Sequence, residues 1–129
     1  MLRNFFAKKA VPLAGAPAVR RLKTYSAQSG YVYQYFFEGQ RPFGAGVEFV
    51  FDVSADRKTS LPVSVLVEGA GLHAWEQSHG RGLSATERYA VAKMALFQAF
   101  DERETPERMR QEVRVRPSDV EALIETLGL

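Results

Sequence analysis

The sequence predicts an α+β domain: an antiparallel meander of three to four strands, followed by two or three helices packed on one of its faces. Two observations carry that expectation. Between residues 30 and 67 apolar and polar residues alternate with a period of two, and after Gly69 the apolar spacing lengthens to about 3.6. Segregation of strands before helices then places the helices on one side of an antiparallel sheet.

Each element follows from its residues. From Gly30 to Phe37, Tyr31, Tyr33, Tyr35 and Phe37 alternate with Val32, Gln34 and Phe36, residue types that suit a pleated surface. Gly39 to Gly46, with Pro42 inside, reads as a turn. Val47, Phe49, Phe51 and Val53 form a second alternating run, and Leu61, Val63, Val65 and Val67 a third. Pro62 assigns that third run to an open border or a strand start, because proline cannot donate to a ladder. Arg20 to Ala27 supplies a fourth strand, with Gln28 to Gly30 as the turn. Ala70 to His79 is a short helix ended by Gly80 or Gly82. Ser84-Ala85-Thr86-Glu87 has the capping-box form and opens a long helix carrying Tyr89, Met94, Leu96, Phe97 and Phe100, the central helix against the sheet. Val113 and Val115 suggest a short final strand. Ser118-Asp119-Val120-Glu121 reads as a second capping box before a terminal helix.

The chain of 129 residues has 46% hydrophobic and 25% charged residues, and its nine Phe, five Tyr and one Trp are sufficient to build one core. Zero cysteines exclude disulfide scaffolds, thiol catalysis and Cys-based metal centres. No uncharged apolar run approaches the roughly 18 residues that a membrane span requires. Residues 1–37 hold six cations and no acid, while residues 38–129 hold eleven cations and fifteen acids, so the net charge of +2 divides into +6 and −4. The organisation expected is a basic N-terminal arm with an Ala/Pro linker over residues 1–18 and a single α+β domain over residues 19–129. Lys8, Lys9, Arg20, Arg21 and Lys23 are the anion- or partner-binding residues of the arm. Nucleic acid or an anionic membrane surface would be met through these cations, in a salt-sensitive and sequence-independent way. The location expected is cytoplasmic, or the mitochondrial matrix if residues 1 to about 25 act as a presequence, as an acid-free Arg- and Lys-bearing leader would allow.

Chemical motifs are sparse. Neither a phosphate-cradling glycine loop nor a Gly-x-Ser-x-Gly elbow occurs. Asp56, Arg57 and Lys58, in the loop of residues 54–60, form a candidate ligand loop in which the cations would hold an anion or Asp56 would act as a base. His73, Glu76 and His79 are spaced by three and are the candidates for a metal site. A single Glu-x-x-His in a three-turn helix, with the histidines six residues apart, favours a solvated helix face instead, and no cofactor is expected. All three strands carry apolar residues on both sides, so the face away from the helices is expected to dock or to form a homodimer. The functional expectation is therefore a non-enzymatic interaction domain that meets a protein partner or a second copy through its sheet. The alternative is a small enzyme or ligand-binding protein with a pocket between sheet and helices, near residues 54–60 and Trp75.

Overall fold

The computed structural model describes residues 11–129. Five strands form one sheet in the order β1 (Lys23–Ser26), β2 (Val32–Phe43), β3 (Gly46–Ser54), β4 (Leu61–Val67) and β5 (Val113–Val115). Neighbours are antiparallel except β4 and β5, which run parallel. The helices are α1 (Gly69–His79), α2 (Ala85–Glu102) and α3 (Pro117–Leu127), with a single 3₁₀ turn at Pro106–Arg110. The α+β class and the meander match the expectation, but the sheet has five strands and is mixed. The short Val113–Val115 segment returns beside β4 after two helices, and such a crossover gives a parallel neighbour where a hairpin gives an antiparallel one.

The turn expected at Gly39 to Gly46 shrinks to Gly44 and Ala45, because β2 continues through Pro42 to Phe43. A register shift between Phe37 and Gly39 absorbs the irregularity, and Gly39 supplies the backbone angle (φ 141°) that a side chain would resist. Gly46 has a different role: a Cβ there would run into the Val67 carbonyl oxygen, so glycine lets the start of β3 lie against the end of β4. Pro62 falls in the half of β4 that β5 leaves uncovered, since β5 reaches only Val65 to Val67.

Helix signals are read with one exception. The Ser84 hydroxyl accepts the Glu87 N–H at 3.1 Å while the Glu87 carboxylate accepts the Ser84 N–H at 2.9 Å, the reciprocal cap the sequence announced. Gly80 closes α1 in the left-handed conformation (φ 68°) and donates to the Glu76 carbonyl. The expected capping box at Ser118 is displaced two residues upstream: Pro117 takes the first helical position of α3, and the Asp119 carboxylate accepts the Arg116 N–H at 3.0 Å.

One core lies between the sheet and all three helices. Tyr33, Phe49, Phe51, Val65, Leu96, Phe100 and Ile124 are fully enclosed there. Alanines 92, 95 and 99 keep α2 slim enough to approach closely. On the opposite face Val50 and Leu66, each 5% exposed, are the buried hydrophobics outside that core among the described residues. They sit among ion pairs: Arg41 bonds Glu48 at 2.9 Å, the Ser64 hydroxyl donates to Glu48 at 2.6 Å, and Arg114 reaches Glu68 at 3.4 Å while lying over Phe43. The Arg41 hydrogen bond holds the Glu48 carboxyl below its usual range against the opposing effect of burial. The second apolar face is thus roofed by the stems of charged residues. Of the described helices none is long and apolar enough to cross a membrane.

Candidate functional site

Among the described residues, the segment 11–22 that precedes β1 is attached to the sheet at two points. Ala14 and Gln40 exchange backbone hydrogen bonds of 2.8 Å in both directions, and Arg41 donates to the Val11 carbonyl at 3.3 Å. Part of the Ala/Pro stretch therefore lies along β2, on the same border that β1 occupies further along. Between these two attachments residues 15–22 leave the sheet and return. With β2 and the start of α2 they enclose a cavity of about 470 Å³.

Two of the arm's cations, Arg21 and Lys23, line this cavity together with Tyr35, Phe37, Thr86 and Tyr89. Arg20 is directed elsewhere, pairing with Glu38 at 3.6 Å and lying over Phe36. Lys8 and Lys9, and the first ten residues of the presequence reading with them, lie outside the described residues. Lys23 is also close to Lys93 on α2. Burial first, and then the Lys23 charge, pull the Lys93 ammonium below its usual value. Tyr35 is 4% exposed, and burial followed by the proximity of Tyr89 pushes its phenol up to about 12. Neither phenol has a hydrogen-bond partner among the described residues.

The candidate loop of residues 54–60 is organised around Asp56. One carboxylate oxygen accepts the backbone N–H groups of Lys58 and Thr59, both at 2.8 Å, and the other accepts the Thr59 hydroxyl at 3.0 Å. Arg57 adopts a left-handed backbone (φ 64°), and its N–H is taken by the Ser54 hydroxyl. The backbone bonds to Thr59 and Lys58, with the Thr59 hydroxyl after them, lower the Asp56 carboxyl to about 2. A carboxylate that is so weakly basic and already fully bonded is a loop organiser, not a general base. A second cavity, of about 390 Å³, lies between this loop and the 3₁₀ turn and includes Asp56 and Thr59; Arg57 and Lys58 do not line it.

Asp56 gives a pH prediction. Its folded-state value lies below the 3.8 of the free side chain, so its contribution to stability is present above about pH 4 and is lost as pH falls toward 2. Asp56→Asn should lower the melting temperature at pH 6, and the gap from wild type should close between pH 4 and 2 in a series of thermal melts. A gap independent of pH would show that the ionised carboxylate does not organise the loop.

Trp75 and the 54–60 loop do not share a pocket. The loop leaves the Ser54 end of the β3–β4 hairpin, whereas α1 starts beyond Val67 at the other end, about seven strand residues or ~23 Å away. Trp75 instead stacks on His79, with ring centroids 4.2 Å apart, and carries the Arg81 guanidinium on its ring. Two of the metal candidates are engaged by other partners. Glu76 accepts the Leu83 N–H at 2.7 Å and an Arg88 bond at 3.3 Å, which lower its carboxyl, and His79 faces Glu121 at 3.5 Å. Among the described residues no group of three or more His, Asp or Glu is placed to hold a metal ion.

Sequence reasoning did not bring Tyr35, Thr86 and Tyr89 to Arg21 and Lys23. The capping box at Ser84 did locate a helix N-terminus, but nothing in linear spacing says that residues 15–23 fold back to it. No protein-family model, curated protein or solved structure matches the chain.

Proposed function

We propose that this protein is an interaction domain that presents residues 11–23, held along β2, to an acidic surface of a partner protein. The observation that carries this reading is the composition of that segment's exposed side chains. Val11, Val19 and Leu22 are 54%, 68% and 59% exposed, and they are three of the six large hydrophobics exposed among the described residues. Arg20, Arg21 and Lys23 accompany them. Aliphatic side chains interleaved with cations suit an acidic groove with apolar pockets. A single-stranded nucleic acid would instead favour exposed aromatics on which bases stack. The sheet's outer face supports docking less well, because Val50 and Leu66 are already covered there and the surrounding charges are paired.

The test is cross-linking and affinity recovery of the tagged full-length protein from its native cell, beside the Val19→Asp/Leu22→Asp variant. The partner should come down in about equal amount with wild type, joined through an acidic peptide to residues 11–23. Its recovery should fall at least about tenfold with the variant, given the loss of two buried aliphatic contacts. Both substituted positions are exposed, so the melting temperature should stay unchanged. Undiminished recovery with the variant would overturn the reading. So would cross-links to a second copy of the chain, recovery abolished by nuclease, or recovery abolished by removing membranes, each of which replaces the acidic protein with a different partner.

A further inference from the structure

We propose that the cavity between residues 15–23, β2 and the start of α2 binds a small organic carboxylate with an aromatic or short acyl body. Three features of the cavity converge on that ligand. Its volume of about 470 Å³ falls in the ~300–1,000 Å³ range of small-molecule pockets. Its inner wall is aromatic: Phe37 and Tyr89 meet edge to face with centroids 5.0 Å apart, and Tyr35 lies edge-on to Phe51 and Phe97, so the wall is continuous with the core and preformed. An aryl or acyl group placed there leaves water for an apolar surface that does not have to be assembled first.

The polar groups then select the head. Arg21 and Lys23 line the cavity and no acidic residue does. Lys93 on α2, near Lys23 though not part of the lining, adds to the positive charge beside the cavity. Tyr35 lines the cavity, and its phenol hydroxyl is available to donate to a bound carboxylate. Ala85 and Thr86, in the first turn of α2, also line the space, where the helix dipole favours an anion. A single carboxylate fits this set better than a polyphosphate, which would call for a glycine-rich cradle of several N–H groups. Here Ser84 already occupies the Glu87 N–H. The proposal shares Arg21 and Lys23 with the partner reading but not Val19 and Leu22, which are exposed and are not among the cavity's lining, so the two can be tested apart.

The experiment is an NMR titration of the isotopically labelled full-length chain with naphthoate, with naphthalenemethanol as the uncharged analogue and acetate as the head without a body. Naphthoate should give saturable shifts centred on Arg21, Lys23, Tyr35, Phe37, Thr86 and Tyr89. Naphthalenemethanol should bind at least about tenfold more weakly, the scale of one charge-assisted contact, and acetate should not saturate. The Arg21→Gln/Lys23→Gln variant should melt as wild type does and lose a similar factor for naphthoate while keeping its affinity for the alcohol. Four results would each overturn the proposal: equal affinity for acid and alcohol, unchanged affinity in the double variant, shifts centred on another part of the molecule, or no shifts at millimolar ligand. The Val19→Asp/Leu22→Asp variant should bind naphthoate normally, so loss of the partner and loss of the ligand are read separately.

Discussion

Phe100→Ala is expected to lower the free energy of unfolding by about 3–5 kcal/mol, the range for removing a large aromatic ring from a core that cannot collapse around the gap. Phe100 has no exposed surface, and it stacks on Tyr33 with centroids 4.1 Å apart and planes within 8°. Tyr25 and Tyr35 lie about one ring further out, at 5.8 and 6.2 Å. The ring therefore ties α2 to β1 and β2 at once, and its loss leaves a cavity bounded by rigid neighbours. A domain of this size has about 5–15 kcal/mol to lose, so a measurable unfolded fraction in mild urea is the expected observation. Val32→Ala, at a position 46% exposed, serves as the comparison and should shift the urea midpoint little. Similar midpoints for the two variants would mean that the aromatic stack does not anchor the sheet to α2.

The second large effect is expected at Arg103, the residue just past α2. Its guanidinium donates to three backbone carbonyls, those of Arg108 at 2.9 Å, Gln111 at 2.7 Å and Glu112 at 2.9 Å. These bonds fasten the 3₁₀ turn and the approach to β5 onto the end of α2. Burial pulls the Arg103 guanidinium below its ordinary value, yet it remains far from losing its proton at any pH the fold tolerates. Arg103→Met keeps the stem and removes the donors, leaving three carbonyls to find water. A loss of about 2–4 kcal/mol is expected, with the bonds acting as one unit instead of adding. Hydrogen exchange should localise the effect, with protection at Val113 and Val115 falling more than protection in β3. A uniform loss across the sheet would show that β5 is held by its pairing with β4 and not by Arg103.

Arg103 also marks what a linear reading could and could not supply. Alternation found β3 and β4 because their period is set within each strand, and the caps at Ser84 and Gly80 were legible because every partner lies within four residues. The extension of β2 through Gly39 and Pro42 was hidden, since both residues ordinarily break strands and here a bulge and a border position excuse them. The parallel placement of β5 was hidden for another reason: three residues carry too little pattern to fix direction, and the clamp comes from an arginine ten residues earlier in the chain. At the site, the cations at Arg21 and Lys23 stood out by charge asymmetry. Their aromatic companions did not, because Tyr35 and Tyr89 become neighbours only when α2 crosses the sheet. At Asp56 linear reading saw hydroxyls, carboxylates and cations together but not that the Asp56 carboxylate is taken up by the Thr59 hydroxyl and by the backbone N–H groups of Lys58 and Thr59.

The pairing of Ala14 with Gln40 has a further consequence for the chain's behaviour in company. β2 is twelve residues long, yet β1 covers just the four from Val32 to Tyr35. The remaining backbone along that border would be a template for a strand from any neighbouring molecule, the route by which sheets grow into aggregates. The returning N-terminal segment occupies the middle of that stretch with the chain's own amide groups. A segment whose side chains are small and mostly exposed thus serves, through its backbone at Ala14, to shield a border that would otherwise be open to a copy of the chain.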